Sequence, residues 1–513
     1  MNVGLATTRS ARRAPMAIAA FEAGRRLTYA ELDERSDRLA NTLRDGLGIG
    51  HGDRVALLIP NRLEVVEVLA GVAKAGAVYV GLNFRMTEQE LGQVFENAEP
   101  RLVLTDDEHL EVATAVAEPR GVPVINLEDG SYERLLADAS TRVPRSLHEV
   151  RPEDDFCIVY TSGTTGTPKG VWFDHGRVLQ HATVACLEYE LTPDSRYLTA
   201  IPHNSSVNIT LVPGLTVGAA VGFTDSRGFD PGRYAEEVQR EAITHSYLVP
   251  TQLYRLLDRV DDPAALATMV TLGYGAAPMS PDKIQALLAR FGPIFNQLYG
   301  MAEIASIGSM LRKSDHVAAA DGASQRFGSA GQPSYVVDLR VVDEHGQDVL
   351  QGERGEVIFG TPYAMKGYYR DPERTAETLV DGWVHSGDIA VVDEDGFVYI
   401  VDRKKDLIIR GGYNISPTEI EAVLHRHPEV LEVGVIGVPD EEWGEAVLAV
   451  VALVDGGAVS EDQLLTWCRD EGSLPSVKLP KRVEFAGSLP KNAVGKVAKN
   501  ELRDRYWTGP RRV

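Results

Sequence analysis

Tyr160-Thr161-Ser162-Gly163-Thr164-Thr165-Gly166-Thr167-Pro168-Lys169-Gly170 crowds hydroxyls, glycines and one lysine into a single run, directly after the apolar Phe156-Cys157-Ile158-Val159-Tyr160. A glycine-rich turn leaving a strand aims backbone N–H groups inward, and Ser, Thr and Lys side chains add donors for phosphate oxygens. The run therefore reads as a loop built to hold a nucleotide triphosphate. Beyond it, the spacing of Val178, Leu179, Ala182 and Ala185 predicts a helix from Gly176 to about Leu187. A Gly/Thr surface loop is the plainer alternative, but so many phosphate donors directly after a strand argue against it.

The spacing also excludes a Walker A loop, which ends Gly-Lys-Ser/Thr. Here Lys169 follows Pro168 and precedes Gly170, leaving no hydroxyl for a metal at that place. A P-loop kinase or GTPase does not fit.

At 513 residues the chain exceeds one ordinary core, and about 150 residues per domain implies three or four packed units. The formal net charge of −22 disfavours nucleic acid or an anionic membrane as partner. Three cysteines, Cys157, Cys186 and Cys468, lack paired or metal-ligand spacing, which suits core thiols in a reducing cytoplasm. Arg9, Arg12 and Arg13 precede the apolar Met16 to Phe21, a run too short for the usual signal-peptide core. The weakly polar Val207 to Phe223 is broken by Asn208, Pro213 and glycines, so a buried helix or strand pair is expected there and no transmembrane segment.

Thr28 with Glu31 forms a capping box ahead of Leu32, Leu39 and Leu43. Arg54 to Ile59 reads as a strand, Leu63 to Ala75 as a helix and Ala77 to Val80 as a strand. This alternation predicts a parallel sheet with helical crossovers, and the rhythm recurs from Ala219 to Pro250 and around Val270 to Gly275. From about Gly328 the texture changes to short strands, among them Val336 to Val342 and Gly355 to Phe359, expected as a small barrel-like unit. The polar Asp402-Arg403-Lys404-Lys405-Asp406 then marks a domain boundary. After it, Ser416-Pro417 with Glu419 and Ser460 with Gln463 start helices, and Val433 to Val438 forms a strand.

Five further motifs accompany the loop: Gly275-Ala276-Ala277-Pro278, Tyr299-Gly300-Met301-Ala302-Glu303, Trp383 to Asp388, Val401 to Asp406, and Pro490 to Lys496. In this order the chain resembles the adenylate-forming superfamily of acyl-CoA synthetases, peptide-synthetase adenylation domains and beetle luciferases, from Leu27-Thr28-Tyr29 to Lys496. The resemblance implies an α/β fold: a large N-terminal domain over 1–402 with two flavodoxin-like subdomains and a small β-barrel at about 328–401, then a small mobile α+β domain over 403–513. It further implies an ATP- and Mg²⁺-dependent ligase that converts a small-molecule carboxylic acid to acyl-adenylate and then to a thioester of coenzyme A. Delivery to a carrier-protein phosphopantetheine and a turnover-free adenylate-binding protein are the alternatives.

Residue roles follow from the resemblance, aided by charge. Thr161, Ser162, Gly163, Thr164, Thr165 and Lys169 surround the β- and γ-phosphates. Glu303 engages Mg²⁺. Gly275, Ala276, Ala277 and Pro278 pass along the adenine, with Tyr299 and Gly300 beside it. Asp388 accepts from the ribose diol, and Arg403 reaches ribose or phosphate. Lys496 neutralises carboxylate and α-phosphate charge in the first half-reaction. Lys405 is the hinge, and Gly411, Gly412 and Tyr413 line the coenzyme A tunnel. His203, Asn204, Ser205, Tyr274 and Met301 are expected around the acyl group.

Two departures stand out. Ala302 replaces the family's threonine, removing one hydroxyl donor to the α-phosphate, so slowed adenylation is expected. In the acyl segment, Pro202-His203-Asn204-Ser205-Ser206 places histidine directly after proline instead of two residues later, and offers a neutral amide where amino-acid-activating relatives carry an aspartate. An amino-acid substrate is thereby disfavoured.

Overall fold

A computed structural model describes residues 1–161, 168–411, 413–440, 442–472, 474–491 and 497–507. Ser162, Gly163, Thr164, Thr165, Gly412 and Lys496 lie outside the described residues. The fold is mixed α/β, and the chain divides into two compact units, Met1–Leu339 with Phe359–His385 and Arg340–Ile358 with Ser386–Val513.

Two sheets organise the first unit. One has seven strands, ordered Gly367–Tyr368, Lys169–Asp174, Asp155–Thr161, Val78–Gly81, Arg54–Leu58, Leu102–Thr105, Val124–Asn126. The last five of these run parallel. Strands Arg54–Leu58, Val78–Gly81 and Leu102–Thr105 are buried almost throughout, which explains why they appear as continuous apolar runs instead of alternating ones. Helix Glu64–Ala75 is buried at every position and ends at Gly76, whose φ of 74° requires glycine. Burying Lys74 in that helix is possible because its ammonium meets Asp33 at 2.6 Å and Asp37 at 2.7 Å.

The second sheet has nine strands, ordered Gln332–Pro333, Ser309–Leu311, Phe295–Tyr299, Thr271–Gly275, His245–Leu248, Arg196–Thr199, Ala220–Phe223, Ile18–Glu22, Arg25–Thr28. Its edge is built from the N-terminal segment, so the short apolar run around Ile18 is a strand paired parallel to Ala220–Phe223. That seam needs glycine: a Cβ on Gly222 would lie 2.2 Å from the Phe21 ring. The segment from Val207 forms a π-helical turn Val207–Leu211, helix Val212–Val217 and strand Ala220–Phe223. Among the described residues no helix is long and apolar enough to cross a membrane.

The short strands expected beyond Gly328 are Asp338–Val342, Gly355–Gly360, Trp383–Val392 and Val398–Arg403. Within the second unit, Asp388 pairs opposite Arg403 in an antiparallel ladder. A further sheet runs Tyr413–Ile415, Ile408–Arg410, Gly444–Leu453, Val430–Asp440, with Arg482–Phe485 joining Gly444–Leu453 in parallel. Helices Pro417–His425 and Glu461–Asp470 start at the serines expected, with Ser416 and Ser460 accepting from the N–H groups of Glu419 and Gln463.

Candidate active site

The strands on either side of the run expected to bind phosphate, Asp155–Thr161 and Lys169–Asp174, form an antiparallel pair. Thr161 pairs with Lys169, and strand Lys169–Asp174 returns antiparallel before helix His175–Tyr189 begins. The sequence placed the helix correctly but missed the intervening strand. Strand Gly367–Tyr368 adds to the hairpin's outer edge, with Tyr368 opposite Val171. Lys169 is two residues from Val171 and so shares its face, making Lys169 and Tyr368 diagonal neighbours. The Lys169 ammonium lies 5.0 Å from the Tyr368 ring centroid, a cation–π distance.

Tyr368 also reaches the other sheet. Its hydroxyl donates to Glu303 Oε1 at 2.5 Å. Glu303 is buried in the single helical turn Ala302–Ile304 that follows strand Phe295–Tyr299. The turn is fixed by Ser306 N–H donating to Met301 O at 2.9 Å and by Met365 N–H donating to Glu303 O at 2.7 Å. Burial, and then the Glu303 carboxylate, push the Tyr368 phenol upward, so it remains a donor.

The two proposed adenine segments leave adjacent parallel strands, Gly275 pairing with Leu298. A Cβ on Gly275 would come within 2.3 Å of Leu298 O, and one on Gly300 within 2.2 Å of Ser306 O. Ala276 takes φ 66°, a left-handed conformation costly for a residue with a Cβ, and such strain clusters at ligand sites. Ala276 and Pro278 are exposed at this strand end, Ala277 partly so. Tyr299 stands 5.9 Å from the Phe359 ring.

Among the residues singled out for the acyl group, His203 is fully buried and doubly bonded. Its Nε2 donates to Ile59 O at 3.1 Å and its Nδ1 accepts from Tyr79 OH at 2.9 Å. Burial lowers its pKa to about 4, so it is a neutral ring. Asn204 is buried, with its Oδ1 lacking a partner among the described residues; Ser205 and Met301 are partly exposed. Tyr274 belongs to the core, its hydroxyl 2.8 Å from His316 Nε2 and 3.0 Å from Gln297 Oε1.

In the second unit, Asp388 is held at the end of Ser386-Gly387-Asp388. Ser386 Oγ donates to Val357 O at 2.6 Å, and Gly387, at φ 70°, donates through its N–H to Glu356 at 3.1 Å. Arg403 Nε lies 3.0 Å from Asp388 Oδ1. Gly411 takes φ 56° and would place a Cβ 2.5 Å from the Trp443 ring, so only glycine fits the hairpin between Arg410 and Tyr413. Tyr413 is 63% and Trp443 45% exposed, leaving aromatic surface on both sides of that turn.

The AMP-binding enzyme model matches residues 7–369, and the AMP-binding enzyme C-terminal domain model matches residues 419–496. The chain belongs to the AMP-binding enzyme family. Feruloyl-CoA synthase of Amycolatopsis sp is 40% identical over 98% of this chain and 99% of that protein. The fatty acid–[acyl-carrier-protein] ligase ScoC of Streptomyces coeruleorubidus is 34% identical over 98% and 96%. The crystal structure of ATP-bound MatB from Rhodopseudomonas palustris superposes with a TM-score of 0.88 at 32% identity, covering 99% of both chains.

In this AMP-binding enzyme the structure brings Thr161, Lys169, Tyr368 and Glu303 together and sets Gly275 beside Leu298, one residue before Tyr299. Sequence reasoning missed Tyr368. The available signal was Gly367-Tyr368-Tyr369 ahead of Asp371-Pro372, a two-residue strand before a capped helix. Trp443 meets Gly411 only through the sheet's pairing, so no local motif marks that contact. For a hard cation, the fitting donor is Glu303: its Oε1 is tied by Tyr368, and Oε2 takes no hydrogen bond from the described residues. Asp106, Glu108 and His109 also cluster closely enough for a metal. Their donors are already engaged, however, with His109 Nδ1 2.7 Å from Asp106 and Glu108 2.9 Å from Arg227.

Proposed function

We propose that this chain is an AMP-forming acid–thiol ligase, joining a carboxylic acid to coenzyme A through an acyl-adenylate. The observation carrying this reading is the meeting at Tyr368 of the Lys169 hairpin and the Glu303 turn, at 5.0 Å and 2.5 Å. It brings together a cation and a carboxylate at the strand that follows the hydroxyl-rich run in sequence, groups of the kind a polyphosphate with a divalent ion requires. The name of the 40% relative, feruloyl-CoA synthase, supports coenzyme A as acceptor and puts aromatic propenoic acids first among substrates.

In the first half-reaction a carboxylate oxygen attacks the α-phosphorus of ATP. The new O–P bond forms as the bond to the α,β-bridging oxygen breaks, and pyrophosphate leaves. Lys169 and the loop donors hold the β- and γ-phosphates, Lys496 screens the approaching carboxylate, and Asp388 with Arg403 holds the ribose. Bound Mg²⁺, for which Glu303 is the fitting ligand, supplies charge neutralisation on the phosphates. In the second, the thiol sulfur attacks the acyl carbon, the C–O bond to AMP breaks, and the thiol proton passes to water.

The swivel between the halves lies at 402/403, with Lys405 as hinge and 1–402 and 403–513 as its two sides. Arg403, Lys404 and Lys405 are exposed, and the turn there is narrow, Asp406 N–H donating to Arg403 O at 2.9 Å. Gly411, Gly412 and Tyr413 then line the thiol's path. Three free thiols support a reducing, cytoplasmic setting.

The test is pyrophosphate release across a panel of carboxylic acids, with and without coenzyme A. An aromatic acid should release pyrophosphate and give its thioester only when coenzyme A is present. Absence of acid-dependent release across the panel would sink the assignment. The ScoC name favours a second reading, transfer to a carrier-protein phosphopantetheine; thioester on a supplied carrier protein but not on coenzyme A would select it.

A further inference from the structure

We propose that Tyr368 is a positioning residue for Glu303, its hydroxyl tying one carboxylate oxygen so that the other faces the cation that accompanies ATP, while its ring seats Lys169. The inference rests on the ligase reading above and deepens its phosphate site.

An ionised carboxylate is acceptor-only and has two oxygens. Left alone on a side chain with rotatable bonds, it presents either oxygen in many directions. Here the hydroxyl at 2.5 Å occupies Oε1, and the Met365 N–H fixes the Glu303 carbonyl at 2.7 Å. Glu303 is thus held at its backbone by Met365 and at one carboxylate oxygen by Tyr368. Tyr368 is itself held rigidly: its N–H donates to Thr375 Oγ1 at 2.9 Å, and its strand is pinned to the hairpin. Groups that orient a metal-binding carboxylate typically govern about 10- to 100-fold in metal affinity.

The second contact is separable from the first. The Lys169 ammonium lies over the ring face, 5.0 Å from the centroid, so it depends on the aromatic ring and not on the hydroxyl. One side chain thereby sets the spacing between the cation-binding carboxylate on one sheet and the phosphate-binding lysine on the other. Tyr368→Phe removes only the first function, and Tyr368→Leu removes both.

The test measures Mn²⁺ binding by electron paramagnetic resonance with ATP present and every carboxylic acid omitted, so that no turnover occurs. ATP binding in EDTA is measured alongside. Tyr368→Phe should weaken Mn²⁺ about 10-fold or more while leaving metal-free ATP binding and the melting temperature near the parental values. Tyr368→Leu should weaken metal-free ATP binding as well. In a Glu303→Gln background, Tyr368→Phe should add no further loss of Mn²⁺, because the oxygen it orients is no longer a carboxylate's. Parental Mn²⁺ affinity in Tyr368→Phe, or full additivity with Glu303→Gln, overturns the proposal alone. A parent chain that binds neither ATP nor Mn²⁺ overturns the ligase reading beneath it.

Discussion

Ala302 and Glu303 share one helical turn, and of the two only Glu303 carries a polar side chain to serve the proposed chemistry. The missing hydroxyl at Ala302 makes a testable deficit: Ala302→Thr should raise the rate of adenylate formation, by up to about 10²-fold where one transition-state donor is fully restored. Ala302 is partly exposed, which leaves room for the larger side chain, and an unchanged rate with intact ATP affinity would mean the site is organised around the alanine. Lys496 gives the complementary case. In the proposed role, its charge is needed when two anions meet but not when a thiol meets a preformed adenylate. Lys496→Ala should therefore reduce acid-dependent pyrophosphate exchange by about 10²-fold or more and spare thioester formation from supplied acyl-adenylate; equal loss in both assays contradicts the two-step assignment. At this scale, Lys169, Gly275 and Glu303 could be singled out as candidates because each lies in a short local motif. Tyr368 could not, because it becomes the partner of Glu303 and Lys169 only through cross-strand pairing between segments far apart in the chain.

Local patterning gave the individual elements more readily than their assembly. Capping residues and apolar spacing located the helices starting at Tyr29 and Glu461 to the residue, since caps are short-range chemistry. Strand Lys169–Asp174 and the N-terminal edge strands were missed because pairing partners decide them, and those are distant in sequence. The seam between Phe21 and Gly222 tests the second case. Gly222→Ala forces a Cβ to within 2.2 Å of the Phe21 ring, so the melting temperature should fall, corresponding to about 1–3 kcal/mol of overpacking. Pairing it with Phe21→Leu should recover part of the loss. A second element-level prediction concerns acid. Burial lowers His203 and His316 to about 4 and His175 and His181 to about 3, from an ordinary 6.5. Between those values the unfolded chain binds protons that the folded chain does not, so stability falls as pH drops from about 6.5 toward 4. His203→Gln, which cannot titrate, should lose less melting temperature between pH 7 and pH 5 than the parent does, and an identical pH slope would show that His203 is not part of the acid response.

For the whole molecule, the proposed reaction has two halves that need different neighbours around one acyl-adenylate, a need that the proposed domain swivel would meet. The proposed pivot is Lys405, and the contacts around it suggest what must change. Arg503 donates to the Lys405 carbonyl at 3.1 Å and pairs with Asp406 at 2.6 Å, so a rotation of the Lys405–Asp406 peptide must break at least the first of these bonds. Both contacts lie within the second unit and come from the helix that follows the Lys496 segment. The polar run was legible in sequence as a boundary, whereas the Arg503 clasp was not, because it joins residues nearly a hundred positions apart. Proline fixes φ near roughly −65° and removes the N–H, so Lys405→Pro restricts the torsion that the swivel requires. The variant should still release pyrophosphate with its acid and should accumulate acyl-adenylate, while thioester formation falls by about 10-fold or more, the scale at which a blocked conformational step overtakes chemistry. Rapid-quench measurement of both products in one reaction decides it. A well-folded Lys405→Pro chain making thioester at the parental rate would place the pivot elsewhere, because no rotation about a locked φ could then be serving the second half-reaction.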